Sequence, residues 1–215
     1  MGEIIYYNEP FPYILIDDFY DQSELDEIWE ELDYMCSPRR MPRAAVQNGA
    51  AWERDEDGNK QKLKTNWTMW LDNFFGPNRH QSNILEVNRK LTNNVQIFEE
   101  HPHWAINDVN AYKADFTQIA YYENSDEYLE HRDSSRLTCL TWFFREPKKF
   151  TGGTLYFPLW DIEIECKNNR VMCFPSMIPH GVTKVCMEEE DMGKKLGRFV
   201  MTQFLMLDIQ GIVPI

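Results

Sequence analysis

Two side chains near the middle of the chain could do chemistry together: His131 and Asp133, in the run "EYLEHRDSSRLTCLTWFF". Residues i and i+2 of a strand project to one side, so an imidazole and a carboxylate at this spacing can offer two ligands to one metal ion. The pair alone is a weak signal, because a polar turn ahead of a core strand reads the same way. A third candidate lies 47 residues beyond Asp133: His180, in "RVMCFPSMIPHGVTKV", follows a strand-like run and a Pro turn and precedes a β-branched segment. Two histidines and one carboxylate delivered to one face form a facial triad that leaves adjacent positions open on an Fe(II) ion. A capping or core histidine is the plainer alternative for His180. The fourth candidate is Arg198, which begins the otherwise apolar run "RFVMTQFLML". A buried guanidinium needs an anion, and its planar fork matches a carboxylate bidentately; an exposed strand-end arginine is the alternative.

The elements that would have to position these groups follow from the apolar periodicity. "PYILIDDFY" (12–20) predicts a strand, and the next segment predicts a helix with Leu25, Ile28, Leu32 and Met35 on one face and Ser23, with Asp26 three residues on, at its N-cap. Residues 37–62, with Pro38, Pro42, Gly49 and "RDEDGNKQK", predict a loop that is either a flap or idle surface. Ile84, Val87, Leu91, Val95 and Phe98 share one face of a second predicted helix. Beyond His101 the helical period disappears, and eight short strand-like segments separated by Gly, Pro and Asn predict a sandwich or barrel with the helices packed outside. At 215 residues with 14% aromatics, the expectation is one domain over 1–215, with a strand and supporting helices in 1–100 and the β core in 101–215.

A net charge of -13 counts against nucleic acid and anionic membrane as partners. The acidity either serves solubility or attracts a basic substrate. Cysteines 36, 139, 166, 173 and 186 show no zinc-type spacing and read as reduced core residues. With no signal-like N-terminus and no long apolar run, a soluble cytoplasmic protein is expected, and the sequon at Asn66 is expected to be unused.

Several motifs together resemble a known family. "QIAYYENSDEYLEHRD" (118–133), "FTGGTLYFP" (150–158), "VMCFPSMIPHGVTKV" (171–185) and "GRFVMTQF", with the N-terminal "PFPYILIDDFYDQSELDEIWEEL", are similar to segments of the Fe(II)/2-oxoglutarate dioxygenases, within them the prolyl 4-hydroxylase-like branch. The resemblance covers 118–205 and the N-terminus and is thin over 37–100. It implies a double-stranded β-helix, the jelly-roll or cupin-like core, packed by N-terminal helices. It implies that His131, Asp133 and His180 hold Fe(II), that Arg198 binds the far carboxylate of 2-oxoglutarate, and that Tyr121 or Tyr122 donates a hydrogen bond to the co-substrate. Leu155 and Val182 match apolar positions that wall the co-substrate, and Thr202 a polar position near the metal. The implied reaction is hydroxylation of an unactivated C–H bond with O2, giving succinate and CO2, with ascorbate as reductant. A prolyl residue of a peptide or protein is the expected substrate; a free amino acid, another small molecule, or a non-catalytic binding module are the alternatives. Two departures stand out: the insertion "MEEEDMGKKL" (187–196) lengthens the spacing from His180 to Arg198, and Trp142 and Phe143 stand where some relatives use a Tyr to hold the co-substrate. Aromatic bulk at the site is expected from Trp142, Phe143, Phe144 and Tyr156.

Overall fold

The computed structural model describes residues 2–37, 40–45, 52–54, 57–108 and 112–207. In chain order the strands are β1 (Ile4–Tyr7), β2 (Tyr13–Ile16), β3 (Trp52–Arg54), β4 (Lys60–Lys62), β5 (Trp67–Trp70), β6 (Tyr112–Tyr122), β7 (Tyr128–His131), β8 (Leu137–Phe143), β9 (Phe150–Thr151), β10 (Leu155–Phe157), β11 (Ile162–Ile164), β12 (Val171–Pro175), β13 (His180–Val182), β14 (Cys186–Met187) and β15 (Arg198–Leu207). The helices are α1 (Gln22–Met35), α2 (Leu71–Phe75), α3 (Asn83–Val87), α4 (Arg89–Asn93), α5 (Gln96–Glu99) and α6 (Trp104–Asn107).

A seven-stranded sheet in the order β1-β2-β12-β8-β15-β6-β5 packs against a four-stranded sheet in the order β11-β10-β13-β7, the two layers of a double-stranded β-helix. β8, the middle strand of the large sheet, is covered on both faces, so all seven of its residues are buried, Thr138 and Thr141 included, although its side chains alternate. Leu140 and Trp142 point between the sheets with Leu155, Phe157, Phe174 and Val182. Cys139 and Phe143 face the other way, toward Ile28 and Leu32 of α1 and Ile84 and Leu85 of α3. Thus the helices do pack outside the barrel, and the space between the sheets at one end is left for the site.

Three local expectations need correction. The first helix is capped two residues earlier than the Ser23 reading: Asp21 Oδ1 accepts from the Glu24 amide at 3.0 Å and Glu24 Oε2 accepts from the Asp21 amide at 2.8 Å, a reciprocal capping box. The second helix is three short pieces, α3, α4 and α5; between the last two Asn94 leaves the helical region (φ -95, ψ 63) and its side-chain amide donates to the Lys90 carbonyl at 2.6 Å. The 37–62 loop contains the β3–β4 hairpin, although residues 38–39, 46–51 and 55–56 lie outside the described residues. No helix among the described residues is long and apolar enough to cross a membrane.

One ion-pair cluster closes the far end of the large sheet. Asp17, just after β2, accepts from Arg170 Nε at 2.5 Å, Arg170 Nη2 at 3.1 Å and Lys167 Nζ at 2.7 Å. The Arg170 hydrogen bonds outweigh partial burial and hold the Asp17 carboxyl down at about 2. A depressed carboxyl stabilises the folded state above its unfolded pKa of about 4 and loses that contribution as pH falls toward the folded value. Asp17→Asn is therefore expected to lower the melting temperature at pH 7, with the gap to the parent narrowing as pH drops from about 5 to about 2; thermal melts across that range check it.

Candidate active site

His131 is the last residue of β7 and His180 the first of β13, and these two strands pair antiparallel with His131 directly opposite His180. Asp133 lies just past the end of β7 rather than on it, so strand alternation is not what turns its carboxylate inward. A backbone hydrogen bond from the Asp133 amide to the Ser176 carbonyl (3.0 Å) and a side-chain one from Thr138 Oγ1 to Asp133 Oδ2 (2.7 Å) hold it there. Ser176 sits 2.9 Å from the Thr138 hydroxyl and 2.6 Å from that of Ser135, so the carboxylate rests on a buried hydroxyl network.

Both imidazoles are turned the same way. His131 Nδ1 lies 2.9 Å from the Leu129 carbonyl and His180 Nδ1 2.8 Å from that of Ile178, each two residues back. A carbonyl can only accept, so each Nδ1 carries a proton and donates, which turns each Nε2 toward Asp133. Those Nε2 atoms lie 3.5 and 3.4 Å from the two oxygens of Asp133, and the three ligand atoms are all within 4.8 Å of one another. Burial pulls the His131 imidazole below its ordinary pKa, only partly offset by the Asp133 hydrogen bond. Burial pushes the Asp133 carboxyl up, yet the hydrogen bonds and charges of the two histidines hold it below the usual carboxylate range. His131 and Asp133 therefore stand in their metal-binding protonation states at neutral pH.

The triad opens into a cavity of about 560 Å³ between the two sheets. Leu155 and Val182 line one wall, opposite each other on β10 and β13, and Thr202 lines the large-sheet side. Tyr121 and Tyr122 separate by register. Tyr122 lines the cavity with its ring 4.7 Å from the Arg198 guanidinium carbon. Tyr121 faces the helices, donating to Glu123 Oε1 at 2.8 Å and accepting from the Gly197 amide at 3.1 Å, and it drops out of the site. The 187–196 insertion docks on the same Glu123 through the Gly193 amide (2.8 Å), and Arg198 pairs with Tyr122 at the head of a ladder that keeps register as far as Met206, so the extra length does not shift the pairing at the site. The expected aromatic bulk is elsewhere: Trp142 and Phe144 pack deeper between the sheets, Phe143 faces the helices, and Tyr156 covers Gly181. The cavity aromatics are instead Trp70, Phe116, Tyr122, Tyr128 and Phe204.

Arg198 is 1% exposed, lines the cavity, and has no carboxylate partner among the described residues; its Nε and Nη1 are buried without a hydrogen bond. A buried guanidinium in this state is costly unless an anion arrives. The donor set thus fits both members of a metal and diacid pair: an N2O face for the ion and an orphaned fork for a distant carboxylate. Gly153 makes room for the arginine. A Cβ there would sit 2.7 Å from Arg198 Cδ, and its φ of +65 disfavours any other residue. Gly153→Ala is expected to cost about 1–3 kcal/mol of stability and, by displacing the guanidinium, to weaken 2-oxoglutarate binding roughly a hundredfold, as read by thermal melts and ligand titration.

Sequence reasoning missed three residues at the site. Thr138 carries a faint signal, a hydroxyl on the strand directly after the His131–Asp133 pair. Tyr128 stacks on the His131 ring with centroids 3.5 Å apart, and the sequence places it three residues before H-x-D. Lys64 gave no signal at all. It is 4% exposed and lines the cavity, with Nζ 3.4 Å from Gln118 Oε1 and 5.3 Å from the Tyr128 ring centroid. Burial lowers its ammonium to about 8 against the pull of the Asp133 charge, so it is cationic at neutral pH.

A double-stranded β-helix thus carries at its mouth a His–Asp–His face that could hold one metal ion. Residues 117–206 match the model of the 2OG-Fe(II) oxygenase superfamily. The matched family implies Fe(II), 2-oxoglutarate and O2 as the cofactor set, and the His131–Asp133–His180 group is one that could hold a metal ion. Solved structures similar in fold include the viral collagen prolyl hydroxylase of Paramecium Bursaria Chlorella virus-1 in its 2OG complex (16% identity, TM-score 0.53, 89% of this chain and 94% of that one). A Pseudomonas putida prolyl-4-hydroxylase is similar at 13% identity and a TM-score of 0.56, over 90% of this chain and 92% of that one. A Trichoplax adhaerens prolyl hydroxylase, solved with a hypoxia inducible factor peptide fragment, is similar at 13% identity and 0.54, over 90% and 83%. At these identities the likeness is one of fold, prolyl 4-hydroxylase-like. No curated protein sequence is detectably similar to the chain.

Proposed function

We propose that the chain hydroxylates an unactivated C–H bond of a prolyl residue in a peptide or protein, consuming 2-oxoglutarate and O2 and releasing succinate and CO2. The observation that carries this reading is the unpaired buried Arg198 guanidinium in the same cavity as the His131–Asp133–His180 face. In this reading His131 Nε2, His180 Nε2 and a carboxylate oxygen of Asp133 hold the iron, while the hydrogen bonds at Leu129, Ile178 and Thr138 fix the ligands' orientation before metal arrives. Arg198 anchors the far carboxylate of 2-oxoglutarate with Tyr122 beside it, Leu155 and Val182 wall its chain, and Thr202 offers a hydroxyl. Bound Fe(II) and 2-oxoglutarate supply, with O2, the oxidant for the C–H bond. The protein's own contribution is to position the target carbon and exclude water.

A peptide substrate is supported by the rim, where exposed Phe116 and half-buried Trp70 and Phe204 form an aromatic lip, and by the peptide complex of the Trichoplax relative. The acidic surface favours, at long range, a peptide that also carries basic residues. Five unpaired cysteines support work in a reducing compartment such as the cytoplasm. The test is succinate release with Fe(II), 2-oxoglutarate and ascorbate, with and without proline-containing peptides, together with mass spectrometry for a gain of one oxygen atom. Products confined to free amino acids or other small molecules would replace the peptide reading, and absence of both turnover and 2-oxoglutarate binding would reject the enzyme.

A further inference from the structure

The proposed chemistry leaves one buried charge unused. Among the cavity-lining residues, Lys64, Arg132, Asp133 and Arg198 carry charge. Arg132 is exposed and donates to the Met177 carbonyl at 2.8 Å, so solvent serves it. The loaded site balances without Lys64: two positive charges of Fe(II) and one of Arg198 meet one negative charge on Asp133 and two on 2-oxoglutarate. Lys64 is then a surplus cation, with a long hydrogen bond to Gln118 and no ion pair among the described residues. Burying such a charge is expensive unless a counter-ion joins it.

Its position is fixed from both sides of the chain. Lys64 bridges to Tyr128 of β7, and the neighbouring Leu63 carbonyl accepts from the Leu129 amide at 2.7 Å, so the residue continues the small sheet beside the metal-binding strand. Gln118, which Nζ approaches, lies opposite Thr202, whereas Tyr122 lies opposite Arg198. Four residues of strand place these two positions about 13 Å apart. Lys64 thus stands at the Gln118 position of β6, and the far carboxylate of the co-substrate is anchored at the Tyr122 position, four residues along.

Resting on the reading of the site given above, we infer that Lys64 is the anchor for a carboxylate on the substrate, next to the carbon that is oxidised. The shared chemistry has two sources: the C-terminal carboxylate of the target residue itself, or an acidic side chain beside it in a peptide. A neutral internal prolyl peptide lacks this group and is a poor substrate.

The test needs no turnover. Mn(II)-loaded protein is saturated with 2-oxoglutarate, and trifluoroacetate is added as the anion probe, with its ¹⁹F relaxation reporting proximity to the paramagnetic ion. Zn(II)-loaded protein gives the diamagnetic baseline and trifluoroacetamide the neutral control. Trifluoroacetate should relax fast in the parent and in Lys64→Arg, roughly tenfold less in Lys64→Met, and trifluoroacetamide should not respond. 2-Oxoglutarate affinity should be the same in all three proteins. Displacement of the probe by N-acetylproline assigns the anion to a terminus, and displacement by N-acetyl-Glu-Pro-amide assigns it to a flanking acid; both support the inference. Equal relaxation in Lys64→Met, an equal response to trifluoroacetamide, or displacement by N-acetylprolinamide as effective as by the acids would overturn it. Loss of 2-oxoglutarate affinity in Lys64→Met would move Lys64 to the co-substrate and overturn it as well. Failure of the parent to bind 2-oxoglutarate with Mn(II) is a separate result, which removes the underlying reading.

Discussion

Asp133→Ala is expected to abolish Fe(II) retention and to lower turnover by roughly 10³-fold or more, the scale on which loss of a whole catalytic element acts. Asp133 is the one anionic member of the triad, and the histidines reach the ion only as neutral donors through Nε2. Without it the metal loses both a bond and its local charge compensation, while Thr138 loses its acceptor. The fold should survive, because the carboxylate sits at the cavity mouth after β7 ends and removing it also removes a buried charge. Metal bound per chain after dialysis, with circular dichroism as the control for folding, measures the effect. Asp133→Ala protein that retains one tightly held Fe(II) would contradict it.

The second large effect separates binding from stability. Arg198→Met should raise the 2-oxoglutarate dissociation constant by about 10²- to 10³-fold, since two charge-assisted hydrogen bonds at about 1.5–3 kcal/mol each are lost. The same change should leave the ligand-free protein as stable as the parent or more so. The apoprotein holds the guanidinium in the core with Nε and Nη1 unpaired, and an apolar chain of similar length ends that cost. Calorimetric titration of Mn(II)-substituted protein reads the first effect, and thermal melts with and without 2-oxoglutarate read both. The parent should gain stability as co-substrate rises and the variant should not. A variant that melts well below the parent while still binding 2-oxoglutarate would show that Arg198 serves the fold instead.

Much of this site was legible because its chemistry is concentrated in a few residue types. His131, Asp133, His180 and Arg198 are polar groups set beside or inside apolar strands, and burying such groups needs a partner, which the sequence can announce. The reason offered for the pair was only partly right. Alternation along a strand was invoked for both, yet β7 ends at His131, and Asp133 is turned inward by Thr138 on β8 and by Ser176 just past β12, contacts that no local pattern reveals. Tyr121 and Tyr122 show the same limit. Alternation says that one faces in, but which one depends on the register against β15, which sets Tyr122 over Arg198. The 82–100 helix failed for a local reason, since the apolar period was real while Asn94 broke the backbone beneath it. Lys64 was illegible because an isolated lysine in a polar run looks like surface, and only the bridge to Tyr128 carries it under the sheet.

The most direct test of the central claim is the visible absorbance of the protein with Fe(II) and 2-oxoglutarate under anaerobic conditions. A charge-transfer band should appear on mixing, saturate at one 2-oxoglutarate per chain, and be absent from His180→Ala, whose metal face has lost the ligand supplied by β13. A parent protein that gives no band, or a band that persists unchanged in His180→Ala, would contradict the assignment of this face as the iron site.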